Sequence, residues 1–262
     1  MKANYHTHTT WCDGKNTARE IIEKAIDLGF ETIGFSSHAM LPQNDIDWVL
    51  TPEKVPLYAA EIRSLAAEFA GKIRVLCAVE ADYIPGSAEP SYAAYKALKP
   101  DYIVGSVHFV RAGDGAIVEV DHSPEILLSG INAHFQGNVE SFVRAYFEAV
   151  RNSLSYDFDI VGHPDLVRKF NLKHPYFDES AQWYRKEVEL TADAIALSGK
   201  IVEVNTGAIS RGWLDSVYPS DYFRSLLRAR NVKFILNSDA HSVDGIDCAF
   251  DKFASLERYV TI

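Results

Sequence analysis

The sequence predicts an α/β protein, a TIM-like barrel of seven strand–helix units, on two observations. Short, near-continuous apolar runs alternate with amphipathic segments at helical spacing along all 262 residues, and nearly every run ends in a residue able to hold a metal or a phosphate. Runs of the first kind suit parallel strands covered on both faces. Ligands at the carboxyl ends of barrel strands gather on one face. A flat doubly wound sheet serves less well, because donors from the first and last strands must meet, which closure permits.

The elements follow in order. The first strand runs into His6-Thr7-His8 and the loop Thr9 to Gly14, which contains Asp13; alternation along a strand puts His6 and His8 on one side. Asn16 or Thr17 caps a helix over 17–28, closed by Gly29. The run 32–35 leads to Ser36-Ser37-His38, a helix is expected over 52–70, and the run 73–79 leads to Glu80. A helix is expected over 90–98, after which the run 102–107 leads to His108. Residues 111–137 read as irregular, with a turn at Gly113-Asp114-Gly115 and a strand-like piece over 117–120. Such an insertion serves as a lid or specificity loop, or is a plain surface excursion. A helix over 139–154 precedes the run 158–161 and Gly162-His163-Pro164-Asp165; one over 179–197 precedes the run 201–204 and Asn205-Thr206-Gly207. Helix 220–230, the run 233–237 with Asp239-Ala240-His241, and helix 244–259 complete the chain.

This length suits one domain spanning 1–262. Hydrophobic content of 47% and charged content of 24% are ordinary for a globular chain. A formal net charge of −10 speaks against a broad basic surface for nucleic acid or anionic lipid. It leaves room for a small anionic substrate, because buried divalent ions reverse the local field. Cys12, Cys77 and Cys248 form no C-x-x-C pair, so neither a disulfide scaffold nor a zinc knuckle is indicated. Strand pattern beginning almost at the first residue leaves no room for a signal sequence, and no apolar stretch is long enough to span a bilayer. A cytoplasmic protein is expected.

Nine donors stand at the strand ends and their loops: His6, His8, Asp13, His38, Glu80, His108, His163, Asp239 and His241. A lone strand histidine is more often structural, but the set exceeds the three protein ligands a catalytic zinc needs. Its nitrogen-rich character suits zinc, manganese or iron better than calcium or magnesium. Arg168 and Arg211 arise from loops on the same face and are the candidates for gripping phosphate. His122, His134 and His174 sit in irregular segments, with His122 or His134 a lesser candidate for substrate contact. Cys12 is expected to pack, and Trp11, Trp48 and Trp213 either line the mouth or belong to the core.

In order and strand context, His6-x-His8, Asp13, His38, Glu80, His108, His163 and Asp239-x-His241 resemble the motifs of the polymerase-and-histidinol-phosphatase (PHP) superfamily. The resemblance covers essentially the whole chain and implies a distorted seven-stranded barrel with up to three metals. It implies His6, His8, Glu80 and Asp239 on a first ion, with Glu80 bridging to a second that also takes His108 and His163. Asp13, His38 and His241 would hold the third. Residues 162–168 and 203–207 are similar to the monofunctional histidinol-phosphate phosphatases of that superfamily, implying hydrolysis of L-histidinol phosphate. Three divalent ions against three carboxylates leave surplus positive charge, which suits a phosphate ester. Glu80, Asp239 and His241 are then the catalytic candidates, with Asp239 or His241 supplying the leaving group's proton. Phosphoesterases acting on nucleotides, oligonucleotides or phosphotyrosine would use the same metals. An amidohydrolase fits less well, since no lysine ends a strand to form a carbamylated bridge, and the full donor set speaks against a non-catalytic metal-binding module.

Overall fold

Residues 2–41 and 48–262 are described by the computed structural model. Along the chain run β1 (Ala3–Asn4), α1 (Ala18–Asp27), β2 (Thr32–His38), α2 (Lys54–Glu68), β3 (Arg74–Asp82) and β4 (Ile103–Ser106). A hairpin of β5 (Phe109–Arg111) and β6 (Ile117–Glu119) follows, then α3 (Pro124–His134) and α4 (Val139–Ser153). The last part carries β7 (Ile160–Val161), α5 (Gln182–Ser198), β8 (Ile201–Asn205), α6 (Gly207–Ser210), α7 (Asp221–Ala229), β9 (Phe234–Asn237) and α8 (Phe250–Phe253). Among the described residues, no helix is long and apolar enough to cross a membrane.

Seven strands pair in the order β1-β2-β3-β4-β7-β8-β9, every pair parallel. The ends of this sheet meet: Thr7 and Ala240 form a parallel bridge, and His8 N donates to Ala240 O at 2.8 Å. The result is the nearly closed barrel that the strand count predicts. Alternation then sorts the side chains. Tyr5, Leu76, Ala78, Tyr102, Val104, Ile160 and Ile235 form a separate buried cluster, whereas neighbouring Val75, Cys77, Val79, Ile103, Val161 and Phe234 pack in the large cluster beneath the helices. The smaller cluster fills the barrel. Gly34 is required there, because a Cβ would collide with the Tyr102 hydroxyl, which donates to Tyr5 O at 2.6 Å.

Local signals explain the helix ends. Thr17 and Glu20 form a capping box at the start of α1, and α5 stops at Gly199 with φ 70°. Two expected helices differ. Residues 92–98 make successive turns, tied elsewhere by Tyr92 N donating to Asp157 O and by the Tyr92 hydroxyl on Asp159. Over 244–259 only α8 is α-helical; Ala249 sits at φ 59°, which breaks a right-handed helix, and Tyr259 bridges to Phe234. The insertion contains the expected turn and strand piece, now the β5–β6 hairpin, together with α3. That helix is marked by Ser123 as N-cap, accepting from Ile126 N, and by Pro124 in the first turn.

Candidate metal centre

All nine expected donors converge at the carboxyl ends of the barrel strands. His6 and His8 follow β1 and are fully buried. Glu80, only 1% exposed, lies at the middle and divides its oxygens between two sets of histidines. Oε2 stands 3.2 Å from His6 Nε2, 3.5 Å from His8 Nε2 and 3.1 Å from His38 Nδ1. Oε1 stands 2.9 Å from His163 Nε2 and 3.5 Å from His108 Nε2, and accepts from Ser106 Oγ at 2.7 Å. Asp239 Oδ1 faces His8 Nε2 at 3.3 Å and His6 Nε2 at 3.7 Å. Asp13 Oδ2 faces His241 Nε2 at 3.0 Å, and its Oδ1 lies 3.7 Å from His38 Nε2.

Four overlapping groups come close enough to share an ion: His8 with Asp13, His38 and His241; His6 with His8 and Glu80; His6 with His163 and Asp239; and His38 with Glu80 and His108. They cut across the three sets implied by the resemblance, because His8 also joins the Asp13 side and His38 also reaches Glu80.

The donor chemistry fits divalent cations. His6 Nε2, His8 Nε2 and His38 Nδ1 are buried without a hydrogen-bond partner among the described residues. On His6 the other nitrogen is fixed, since Nδ1 meets Glu203 Oε2 at 2.9 Å; on His108, Nδ1 meets Asp82 Oδ1 at 3.0 Å. A proton on each Nδ1 satisfies these carboxylates. Against burial, Glu203 and Glu80 raise the His6 pKa and Asp82 and Glu80 raise that of His108, so without an ion each ring is held cationic, and a divalent cation would take the place of the proton on Nε2. Burial, then the neighbouring His241 and His38, lowers the His8 pKa to about 3, which keeps its imidazole neutral. Burial opposes ionisation of Asp13, Glu80 and Asp239. It is outweighed by the His241 hydrogen bond and the charge of His38 at Asp13, by His6 and His108 at Glu80, and by Arg211 and His6 at Asp239, so all three stay ionised. Two donors occupy left-handed backbone, Asp239 at φ 51° and His163 at φ 21°. Non-glycine residues accept that strain where the surroundings hold them, as functional sites do.

A cavity of about 330 Å³ opens over the cluster, and Arg211 and Trp48 line it. Arg211 NH2 donates to Asp239 Oδ2 at 2.7 Å and NH1 lies 3.0 Å from His241 Nδ1. Arg168, expected beside it, is turned away. Its Nε donates to Glu179 Oε2 at 3.0 Å and its NH1 to Val217 O at 3.3 Å, and it is absent from the cavity wall, where the next residue, Lys169, stands instead. Lys169 Nζ donates to Asp121 Oδ2 at 3.0 Å. His122 lines the cavity. His134 pairs with Asp114 at 2.9 Å on the surface, and His174 lies beside Trp213. Trp11 packs on Tyr58 and Trp213 on Phe170. Cys12 remains a thiol, its pKa pushed up to about 11 by burial and by Asp13.

Sequence reasoning passed over Glu203, Asp82, Glu119, Asp121 and Lys169. Glu203 carried a usable signal, a charged residue inside the apolar run of β8. It is fully buried and accepts from His163 N at 2.9 Å, Asn205 Nδ2 at 2.7 Å and Asn237 Nδ2 at 2.8 Å.

Seven parallel strands with a histidine–carboxylate cluster at their carboxyl ends define the class of barrel proteins built around a candidate metal centre. Residues 4–207 match the model of the PHP domain, and the chain belongs to that family. It is 27% identical to the histidinol-phosphatase of Bacillus subtilis over 273 aligned positions, covering 98% of this chain and 99% of the relative. Among solved structures, HisK from Listeria monocytogenes superposes with a TM-score of 0.81 at 21% identity, covering 96% of this chain and 100% of that one. The histidinol phosphate phosphatase of Lactococcus lactis, solved with zinc, L-histidinol and phosphate, gives 0.69 at 22% identity, covering 97% and 92%.

Proposed function

We propose that this protein hydrolyses L-histidinol phosphate to L-histidinol and phosphate at the cluster around Glu80. The observation that carries the reading is a donor set of this size on a PHP barrel, in a chain alignable end to end with a histidinol-phosphatase. His6, His8, Glu80 and Asp239 would hold one ion, Glu80, His108 and His163 a second, and Asp13, His38 and His241 a third. Zinc, carried by the Lactococcus lactis enzyme, suits these donors, as do manganese and iron. Divalent ions there supply Lewis acidity toward phosphate oxygens and make water a nucleophile near neutral pH.

The chain's own groups supply the rest. Arg211 presents its guanidinium to the cavity beside Asp239, where its planar fork matches phosphate oxygens. The leaving alkoxide needs a proton. Of the two candidates His241 is the more accessible, its side chain 23% exposed against 6% for Asp239. Positioning and fixed charge dominate catalysis of phosphoryl transfer, so a cluster this preorganised suits it.

The test is phosphate release by metal-replete protein from histidinol phosphate, nucleoside monophosphates, phosphotyrosine and short single-stranded DNA. Histidinol phosphate is expected to give the highest kcat/KM. Turnover confined to another ester would overturn the substrate. Chelation should abolish release and zinc, manganese or iron restore it, so full activity in protein shown to be metal-free would end the metal reading.

A further inference from the structure

One wall of the cavity lies outside the metal cluster. Register places Glu119 of β6 directly opposite Phe109 of β5, so their side chains share a face of the hairpin. Val118 and Val120, which alternate with Glu119, are buried in the main core. Phe109 stacks on Trp48, with ring centroids 6.4 Å apart and planes at 13°, while Trp48 and Glu119 both line the cavity. The hairpin is anchored to the centre, because Val120 N donates to His108 O at 2.8 Å. The wall therefore offers an aromatic plane and a carboxylate next to a metal-ligand candidate.

The charges on that wall are unequal. Asp121 is matched by Lys169 at 3.0 Å. Glu119 is half-buried, and among the described residues no hydrogen bond or ion pair meets its carboxylate; His122, His108 and Lys169 act on it through charge alone, and Lys169 is already paired with Asp121. An anion without a contact partner beside a phosphate site repels the substrate unless the substrate brings a cation to it.

We propose that this cavity selects phosphomonoesters whose alcohol portion carries a positive charge, and that Glu119 is the residue that makes the selection. The inference rests on the phosphomonoesterase reading of the same centre. The phosphate sits toward Arg211 and the metal donors, the ammonium or imidazolium of the alcohol meets the Glu119 carboxylate, and its apolar stem lies along Trp48. Glu119 acts on binding and discrimination, with no part in bond making.

The test uses a matched pair, O-phosphoethanolamine and ethylene glycol monophosphate, which differ by an ammonium against a hydroxyl. Affinity is read by calorimetry on the metal-loaded protein, and kcat/KM by phosphate release. The wild-type protein should favour the ammonium ester, Glu119→Gln should reduce that preference about tenfold, the loss of one charge-assisted contact, and Glu119→Asp should retain part of it. Equal affinity for the pair in the wild-type protein, or an unchanged ratio in Glu119→Gln with an unaltered melting curve, overturns the inference. The outcomes also separate it from the proposed reaction. A Glu119-dependent preference without turnover of histidinol phosphate sinks the substrate and keeps the selection, whereas turnover of histidinol phosphate with a ratio indifferent to Glu119 does the reverse.

Discussion

Glu80 illustrates how far single residues could be read from sequence. Its strand-end position marked it as a donor, and the structure adds that its oxygens serve opposite sides, Oε2 toward His6, His8 and His38 and Oε1 toward His108 and His163. Glu80→Ala should therefore lose more bound metal than Asp13→Ala, which touches only the side of His8, His38 and His241; elemental analysis giving equal losses would remove the bridge. The two arginines could not be separated by spacing, because a loop side chain turns toward whichever partner tertiary structure brings. Glu179 captured Arg168, and Asp239 holds Arg211 at the cavity. Arg211→Ala should lower kcat/KM for every phosphomonoester roughly ten- to hundredfold, the effect of removing a charge-assisted hydrogen bond of about 1.5–3 kcal/mol. Unchanged kcat/KM on histidinol phosphate would make it a bystander. Glu119 supplies a pH test. Burial, then Asp121, raises its pKa against the opposing charges of His122, His108 and Lys169. Its anion is present above that raised pKa, so the preference for the ammonium ester should hold at high pH and fade as pH drops through it. The ammonium also lowers the pKa of its own phosphate, so the Glu119→Gln protein, measured over the same pH range, supplies the baseline; a wild-type ratio that tracks the Glu119→Gln ratio at every pH would contradict this.

Among elements, strands were more legible than helices. A buried parallel strand declares itself by an unbroken apolar run, and β2, buried at each of its positions, is such a case. The segments over 90–98 and 244–259 carry helical periodicity, yet long-range ties at Tyr92 and Tyr259 decide their course, and periodicity cannot report those. The reverse error occurred at α3, where Ser123-Pro124 is a sound start signal hidden within a segment read as irregular. Two element-scale measurements follow. Thr17→Ala removes the α1 capping box and should reduce stability by about 1 kcal/mol, seen as a lower denaturation midpoint with metal content unchanged; an unaltered midpoint would show that packing alone sets the helix start. Gly34→Ala drives a methyl into the Tyr102 hydroxyl and should cost about 1–3 kcal/mol by overpacking the barrel interior, read as a lower denaturation midpoint; a wild-type midpoint would show that the Tyr102 ring can give way.

At the scale of the whole molecule, closure and function meet at one seam. The strand count and the need to unite ligands from both chain ends made a barrel legible, but how a two-residue β1 could complete it was not, since side chains do much of the joining. Asn4 Nδ2 donates to Ser238 Oγ at 2.6 Å, Tyr5 N donates to Asn237 Oδ1 at 2.9 Å, and Asn237 Nδ2 donates to Glu203 Oε2 at 2.8 Å. The same Glu203 oxygen meets His6 Nδ1 at 2.9 Å, so the residue that closes the barrel also steadies the carboxylate orienting a metal-ligand candidate. Asn237→Ala removes one neutral and one charge-assisted hydrogen bond from a fully buried place, a loss of about 3 kcal/mol. Its melting temperature should fall with or without metal. Metal affinity should fall too, because Glu203 loses a donor and His6 is held less firmly. A lower melting temperature with wild-type metal affinity would show that seam and centre are independent. A joint loss would mean that this barrel needs its closure to keep the first strand's histidines in register with Asp239.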